Sequence, residues 1–463
     1  MAAKSTGGAL GTGAIADALA AMPDVQTLEL VFADMNGVAR GKHLPVDQAE
    51  KLAGKLRMPA SLFNLDIFSA DVDSAGIAIA RGDPDAACHA VRLGPAAWSN
   101  GRRAVALMTM CAPDGSPSPY DPRAALAAVS DRLAARGLTP VIAPELEFYI
   151  VDAARDAQGR AQPPRCPLSG ERLSGAQIYR LGVQNPFSAL LDAMIAAARA
   201  LGCNADVALA EYGAGQFEIN LAHTTGALEA ADQALLLKLA IRETARILGF
   251  DASFMAKTYG DMAGSGLHFH VSLLNEAGDN VFSGATEDLP NAALRGALGG
   301  LIAQMPASVL GLAPHLNSYR RLGPGTYAPS QAVWGLDNRT TALRVPTTIG
   351  PAARFEHRLA GADANPYIAL ALILQAMLEG IETQADPGQP VTGEAGFDRG
   401  LLPPMPLPLG WGRALAAFRE SAFPARALGA EFVRCYGLMK EQELGRLNQH
   451  VSAIEYALYM RSV

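Results

Sequence analysis

The chain has 463 residues, half of them hydrophobic and 18% charged, which excludes wholesale disorder and leaves length for two or three domains with a full core. Lysine plus arginine number 38 against 45 acids, a net charge of −7, so neither nucleic acid nor an anionic membrane is the expected partner. Five scattered cysteines (Cys88, Cys111, Cys166, Cys203, Cys435), odd in number and without a CxxC pair, read as reduced thiols of a cytoplasmic protein.

The opening residues (MAAKSTGGALGTG) lack the long apolar core of a signal peptide. Strand-like runs follow at 27–32, 76–80 and 104–110, with a turn signal at Met35-Asn36-Gly37. After the Pro/Ser/Gly-rich loop 112–120, Asp121-Pro122 opens a helix that Gly137 closes. A boundary in this loop divides the chain into domains 1–113 and 114–463. Helices are expected at 187–201, 227–248, 291–312, 366–382, 414–426 and 431–458, alternating with short strands, an α+β pattern. The apolar runs 294–312 and 367–381 are interrupted by Arg295, Gln304 and Pro306, and by Gln375 and Glu379, so both read as buried helices rather than membrane spans. The segment 401–409 (LLPPMPLPL) reads as a surface connection.

Four segments share an unusual alternation. In 141–150 (VIAPELEFYI), Glu145, Glu147 and Tyr149 alternate with Leu146, Phe148 and Ile150. In 216–221 (QFEINL), Gln216, Glu218 and Asn220 alternate with Phe217, Ile219 and Leu221. In 267–273 (LHFHVSL), His268, His270 and Ser272 alternate with apolar residues, and in 354–359 (RFEHRL), Arg354, Glu356 and Arg358 alternate with Phe355, His357 and Leu359. Strand side chains point to opposite faces, so each segment is apolar on one side and charged on the other. A sheet with one solvated face gives the same alternation. These faces, however, contain no lysine and are dense in Glu, His and Arg, the groups that ligate metals and clamp phosphate or carboxylate. His357, on an apolar face, reads as a packed core residue.

If the strands share one sheet, Glu145, Glu147, Glu211, Glu218 and Glu356 converge, and they cannot all ionise near pH 7 without cations. Oxygen-rich ligation with an imidazole suits Mg²⁺ or Mn²⁺; zinc on His268-x-His270 is the alternative. Hard cations beside arginines equip a site to move a phosphoryl group. No GxxxxGK[ST] loop occurs, and Gly11-x-Gly13 and Gly264-x-Gly266 lack the rest of a dinucleotide fingerprint.

The segments PELEFY (144–149), EYGAGQFEINL (211–221), GSGLHFHVSL (264–273), NSYRRLGPG (317–325), NRTTALRVP (338–346), RFEHRL (354–359) and ANPY (364–367) resemble the glutamine synthetase family, over nearly the whole chain. The resemblance implies an N-terminal β-grasp domain and a large catalytic domain with a funnel-shaped antiparallel sheet and surrounding helices. It also implies active sites between neighbouring subunits of a homo-oligomer, a dodecamer of two rings. Glu147, Glu211 and Glu218 resemble ligands of a first metal, which helps bind the amino acid. Glu145, His268 and Glu356 resemble those of a second, which holds the nucleotide phosphates. His270, Ser272, Arg339, Arg344 and Arg354 match positions around ATP, and Gly264, Arg321 and Arg358 positions around glutamate. Glu147 and His268 also border that substrate, and Arg321, Arg339 and Tyr327 are the expected catalytic positions. The implied chemistry forms γ-glutamyl phosphate from glutamate and ATP, then an amide with a nitrogen nucleophile.

Departures from the pattern bear on that nucleophile. Ammonia-using members carry a glutamate in a PGYEAP loop; here 324–329 reads PGTYAP, and Tyr327 stands where the acid belongs. A neutral phenol cannot concentrate ammonium, but it can present an aromatic wall to an organic amine. The family's Phe-Asp-Gly-Ser-Ser motif is also missing; the corresponding region reads LFNLDIF (62–68), where Asn64 or Asp66 are the available polar groups. Ala263 replaces the asparagine common before Gly264, and no tyrosine lies between Tyr367 and Tyr436 for adenylylation. The chain is therefore most similar to the γ-glutamyl-amine ligases, such as γ-glutamylputrescine and γ-glutamylpolyamine synthetases, with Tyr179 and Phe63 as candidates for the amine pocket. Glutamine synthesis from ammonia and a non-catalytic nucleotide-binding regulator are the alternatives.

Overall fold

In a computed structural model, the described residues are 3–4, 8–77, 82–396 and 406–463. Strand β1 (Ala3–Lys4) and helix α1 (Thr12–Ala20) lead into β2 (Thr27–Ala33), β3 (Ala39–Pro45), β4 (Ala53–Pro59), β5 (Asp85–Pro95) and β6 (Arg103–Met110). The hairpin between β2 and β3 turns at Gly37, whose φ of +73° suits glycine. Asp34 Oδ1 accepts there from the amides of Asn36 at 2.9 Å and Val38 at 2.8 Å. The sheet order is β1-β5-β6-β2-β3, with β4 also on β5; β2 and β6 are parallel and the other pairs antiparallel. Two hairpins joined by a central parallel pair is the β-grasp arrangement. Of the strand expected at 76–80, Gly76 and Ile77 lie outside any strand: Asp73–Ala75 is a single 3₁₀ turn, closed by Gly76 in the left-handed region. Residues 78–81 lie outside the described residues.

Helix α2 (Pro122–Ala134) starts as its sequence dictates, with Asp121 accepting the Arg123 amide at 2.9 Å and Pro122 in the first turn. Then follow β7 (Thr139–Asp152), α3 (Leu181–Gln184), α4 (Ser188–Ala200), β8 (Ala205–Ala210), β9 (Gln216–Leu221), β10 (Thr224–Thr225), α5 (Ala227–Ile247), β11 (Phe250–Ser253), β12 (Leu267–Leu274) and α6 (Ala292–Leu312). After β13 (Trp334–Leu336), β14 (Leu343–Thr347) and β15 (Arg354–His357), the chain ends in α7 (Pro366–Thr383), α8 (Trp411–Glu420), α9 (Phe423–Leu428), α10 (Ala430–Asn448) and α11 (Ala453–Tyr459). The second sheet has the order β13-β14-β15-β12-β7-β9-β8, with β10 and β11 on β7, and it is antiparallel apart from β13–β14. The four alternating segments are thus consecutive neighbours, β15-β12-β7-β9. Their apolar sides, including Leu146, Phe148, Phe217, Phe269 and Phe355, are fully buried, with α5 packed behind β7.

Helices α6 and α7 cross at glycines. A Cβ on Gly300 would lie 2.2 Å from the Ala376 carbonyl oxygen, and one on Gly380 2.2 Å from that of Gly296. The two apolar runs are therefore buried helices, and among the described residues no helix is long and apolar enough to cross a membrane.

The last two expected helices are each two. The first divides at 421–422, where the Ser421 hydroxyl accepts the Phe423 amide at 3.2 Å and Pro424 sits in the first turn of α9. The second stops at Asn448 and restarts at Ser452, which forms a reciprocal capping box with Glu455. Apolar periodicity continues across both breaks; the caps decide. Before that break, α10 reaches back to the first sheet. Glu443 Oε1 accepts from Asn36 Nδ2 at 2.8 Å and the Ile67 amide at 2.9 Å, and its other oxygen pairs with the buried Lys440 at 2.9 Å. Gln442 and Arg446 both donate to Asp66 Oδ2, at 2.9 and 3.1 Å.

Replacing Gly300 with alanine forces the helices apart, at a cost of about 1–3 kcal/mol, and lowers the midpoint of thermal unfolding. Gly13→Ala, in α1 with nothing within 4 Å of its added carbon, leaves the midpoint level or raises it.

Candidate functional site

Strand register builds the site. His268 lies opposite Glu145, His270 opposite Glu356 and Glu147 opposite Glu218. All six are on the face away from the apolar core, and the neighbouring strands bring them together.

On the β15 side, the His270 ring joins two partners: Nε2 is 2.9 Å from Glu145 Oε1, and Nδ1 accepts from Arg354 Nε at 3.1 Å. The Arg354 bond leaves the ring proton on Nε2, aimed at the carboxylate. Glu356 is completely buried between Arg358, which donates to Oε1, and Arg344, which donates to Oε2 at 2.8 Å. His268 Nδ1 stands 3.6 Å from Glu356 and 3.7 Å from Glu145. Burial works to raise the Glu356 carboxyl, but Arg358, His268 and His270 together hold it at about 2. Glu145, equally opposed by burial, is held well below the usual range by the two imidazoles. Donor atoms of Glu145, His270 and Glu356 all lie within 4.8 Å of one another. With both His270 nitrogens engaged, the two carboxylates and the neighbouring His268 Nδ1 are the groups that could share one cation.

On the β9 side the balance reverses. Glu147 Oε2 accepts the Gly266 amide at 2.8 Å, and His268 Nε2 is 4.0 Å from its other oxygen. Burial, then the charge of Glu147, pushes Glu211 up to about 7. Burial, then Glu145, Glu147 and Glu211, pushes Glu218 up to about 9. These acids lack enough positive charge, and the deficit fits a hard divalent ion. No cysteine joins either group among the described residues, which weighs against a thiolate zinc site.

Around this face, Arg321 is buried with NH1 on the Leu359 carbonyl at 2.9 Å, NH2 on that of Arg358 at 3.1 Å, and His268 Nε2 at 3.4 Å. Gly264 cannot carry a side chain: its Cβ would lie 2.7 Å from both the Ala256 oxygen and Arg321 Cγ. Other expected residues sit at the rim or turn away. Arg339 is exposed, its field reaching Glu211. Ser272 gives its hydroxyl to the Ala353 carbonyl at 2.9 Å. Tyr327 is not drawn in: it stands 69% exposed on its loop, with φ +54° and no hydrogen bond among the described residues. Tyr179 is exposed too, its amide bonded to the Ala210 carbonyl beside Glu211. Phe63 does not line any amine pocket; it is fully buried in the first sheet's core, edge-on to Phe32. Asn64 donates to the Val72 carbonyl, and Asp66 closes its own loop by accepting the amides of Phe68 and Ala70. His357 is buried, and burial holds its imidazole neutral with a value of about 3.

Two residues named in the strand alternation, but not as site candidates, support this face. Gln216 Nε2 donates to the Gly264 carbonyl at 2.9 Å and reaches Glu147 at 3.5 Å, while Tyr149 donates to the Ala263 carbonyl at 2.7 Å. Together they fasten the 263–266 loop to the strands bearing Glu147 and Glu218. Their signal was present, since each shares a charged face two residues from one of those acids.

Residues 119–459 match the family described as glutamine synthetase, catalytic domain. The chain is 40% identical to γ-glutamylputrescine synthetase PuuA of Escherichia coli, covering 94% of this chain and 91% of that one. It is 31% identical to a glutamate–isopropylamine ligase of Pseudomonas, over 94% of this chain and 95% of the relative. Among solved structures, a GmaS/ADP complex superposes with a TM-score of 0.82 at 26% identity, covering 96% of this chain and 98% of that one.

The raised and lowered acids respond to pH in opposite directions. A raised carboxyl keeps its proton in the folded chain after the unfolded chain has lost it, so its contribution declines as pH rises. Metal-free protein is expected to lose stability from 4.5 upward through about 7 and about 9, as Glu211 and Glu218 ionise. Glu356 contributes above 4.5 and loses that contribution as pH falls toward about 2. Thermal midpoints measured across pH in EDTA and in Mg²⁺ check this: Mg²⁺ flattens the alkaline decline, and coincident curves would refute it.

Proposed function

The chain belongs to the glutamine synthetase family, and on that premise we propose that it is an ATP-dependent ligase joining the γ-carboxylate of glutamate to an organic amine, a polyamine or a monoamine. The observation that carries this reading is the single sheet face on which four glutamates and two histidines meet, with Glu211 just beyond the end of β8 and arginines at the rim. In this reading Glu147, Glu211 and Glu218 hold one Mg²⁺ or Mn²⁺, and Glu145, His268 and Glu356 hold another. Bound there, the ions supply the positive charge that the carboxylates and the ATP phosphates require. His270, Ser272, Arg339, Arg344 and Arg354 surround ATP. Arg321 and Arg358 hold glutamate by its carboxylate, and Gly264, whose missing side chain lets Arg321 and the Ala256 carbonyl close in, borders its amino group. The enzyme acts as a cytoplasmic homo-oligomer, a dodecamer of two rings, each chain divided into domains 1–113 and 114–463.

The reaction has two steps. A γ-carboxylate oxygen of glutamate bonds to the γ-phosphorus of ATP, the bond to the bridging oxygen breaks, and ADP leaves. The amine nitrogen then adds to the acyl carbon of γ-glutamyl phosphate, gives up a proton, and phosphate departs. The chain's share is alignment and preset charge. Arg321 and Arg358 fix the amino acid, and arginines at the phosphate end meet the charge that moves onto ADP.

An organic amine is favoured over ammonia by the 324–329 loop, which offers the exposed Tyr327 ring and no acid. The named substrates of the two relatives, a diamine and a branched monoamine, support the same choice.

Purified protein with Mg²⁺, ATP and glutamate is expected to release phosphate only when a suitable amine is added, with the γ-glutamyl amide seen by mass. Low-KM turnover on ammonium alone would favour glutamine synthesis instead. Glu147→Gln should lower kcat by about 100-fold or more. Tyr327→Glu should shift preference toward ammonium; an unchanged amine profile would remove the loop from the specificity argument.

A further inference from the structure

A cavity of about 280 Å³ lies away from the acid face, between the 36–39 turn of the first sheet and helix α5. Its wall is largely apolar, with Leu235, Leu239, Phe254 and Met255, yet Lys238, Arg242 and His315 also line it. Lys238 and Arg242, one turn apart on α5, both overlie Phe254, with Nζ 5.9 Å and Cζ 5.0 Å from the ring centre. Lys238 has three donors and one hydrogen-bond partner among the described residues, the Ala364 carbonyl at 2.8 Å. Arg242 has no hydrogen bond or ion pair there. The acids whose fields reach it, Glu243 and Asp251, are taken by Arg246 at 2.7 Å and Arg155 at 2.5 Å. The His315 ring also lacks a hydrogen-bond partner among the described residues. Asp363 is the one acid of the lining, and its Oδ2 already accepts from Ser318 at 2.5 Å.

Arg242 supplies the standing positive charge, while burial lowers the Lys238 ammonium to about 7 and keeps the His315 imidazole neutral, both as hydrogen-bonding groups. Although Asp363 keeps one buried oxygen without a partner among the described residues, the guanidinium and the two nitrogen groups over an aromatic floor make a concavity that favours an anion with a hydrocarbon body. The volume is at the small end of ligand sites, which limits the occupant to a small molecule. We propose that this cavity is a second ligand site, separate from the acid face, for a small organic carboxylate with an apolar body, and that its occupancy is felt at Arg321 and Gly264.

The route is short. Asn317, on the cavity wall, clasps Lys257 from both sides, through Oδ1 to the amide and Nδ2 to the carbonyl, each at 2.9 Å. The preceding carbonyl, Ala256, accepts the Ser265 amide at 2.9 Å and abuts Gly264. On the other side of Asn317, the Arg321 amide donates to Ser318 at 3.1 Å. A molecule seated against Met255 and His315 therefore presses on both segments that carry the glutamate-binding groups. This second half of the proposal rests on the ligase reading; the existence of the site does not.

Isothermal titration of the full-length protein tests it, with hexanoate as the probe and hexan-1-ol as its uncharged counterpart. Hexanoate is expected to bind saturably and hexan-1-ol not to bind. Excess glutamate and ATP should leave hexanoate binding in place. Arg242→Gln, a solvent-reaching position, should weaken it about tenfold or more; Leu239→Trp, which fills the cavity, should abolish it. In turnover assays hexanoate should change the KM for glutamate in the native protein and not in Arg242→Gln, whose basal activity stays level. Absence of saturable binding, equal affinity in the Arg242 variant, or displacement by glutamate would overturn the site. Binding with an unchanged KM would overturn the coupling. Failure of every amine to support turnover would sink the ligase reading while the titrations still decide the cavity.

Discussion

Glu147 and Glu218 face each other directly across two paired strands, a position where like charges repel. The sheet nevertheless keeps them there, and nearly everything else about the site answers that conflict. Behind the pair, Phe148, Phe217 and Ile219 are wholly buried, and a slip of one residue would turn those side chains outward and the acids inward. The register is fixed by the apolar face, and the acids have no freedom to separate. What remains is a standing demand for positive charge at one point of the molecule.

That demand is unevenly met by the chain itself. Glu356 has Arg344 and Arg358 on its two oxygens and stays ionised although fully buried. Glu211 and Glu218 have no comparable guanidinium contact among the described residues, and their protons are held accordingly. His268 stands between these regimes, within 4.0 Å of Glu147 and closer to Glu145 and Glu356. The face is thus graded, from a half already balanced by protein to a half that an incoming ion must balance. Gln216 and Tyr149 add rigidity rather than charge, binding the glycine-bearing loop to the same strands.

Much of this was legible because a strand writes its two faces as a two-residue period. The alternation in VIAPELEFYI, QFEINL, LHFHVSL and RFEHRL placed Glu145, Glu147, Glu218, His268, His270 and Glu356 on common faces before any contact was known. The joining of those strands into one sheet was a conditional inference, since periodicity says nothing about neighbours. Glu211 lies just outside a strand, so it was grouped with the converging acids although no alternation places it, and the family resemblance then gave it a role. Helix breaks at 421–422 and 449–452 escaped notice because apolar spacing runs through them and the deciding bonds are local caps. Phe63 and Tyr327 show the further limit: an aromatic residue near a motif can be core or rim, and only burial separates them. Gln216 was visible as a polar face residue, but its bonds to a loop some 50 residues away depend on tertiary placement.

The grip of α10 on the first sheet reaches across most of the chain: Glu443 lies 407 residues beyond Asn36, and Arg446 380 beyond Asp66. During synthesis on the ribosome, the 64–72 loop emerges early and waits for those partners until the chain is almost finished. Through that interval Asn36, the Ile67 amide and one oxygen of Asp66 must be satisfied by water, and the segment is open to proteases and misplaced contacts. Maturation of the N-terminal sheet is in this sense a late event, completed by the arrival of one helix, and a truncated product would carry its earliest residues in an unfinished form.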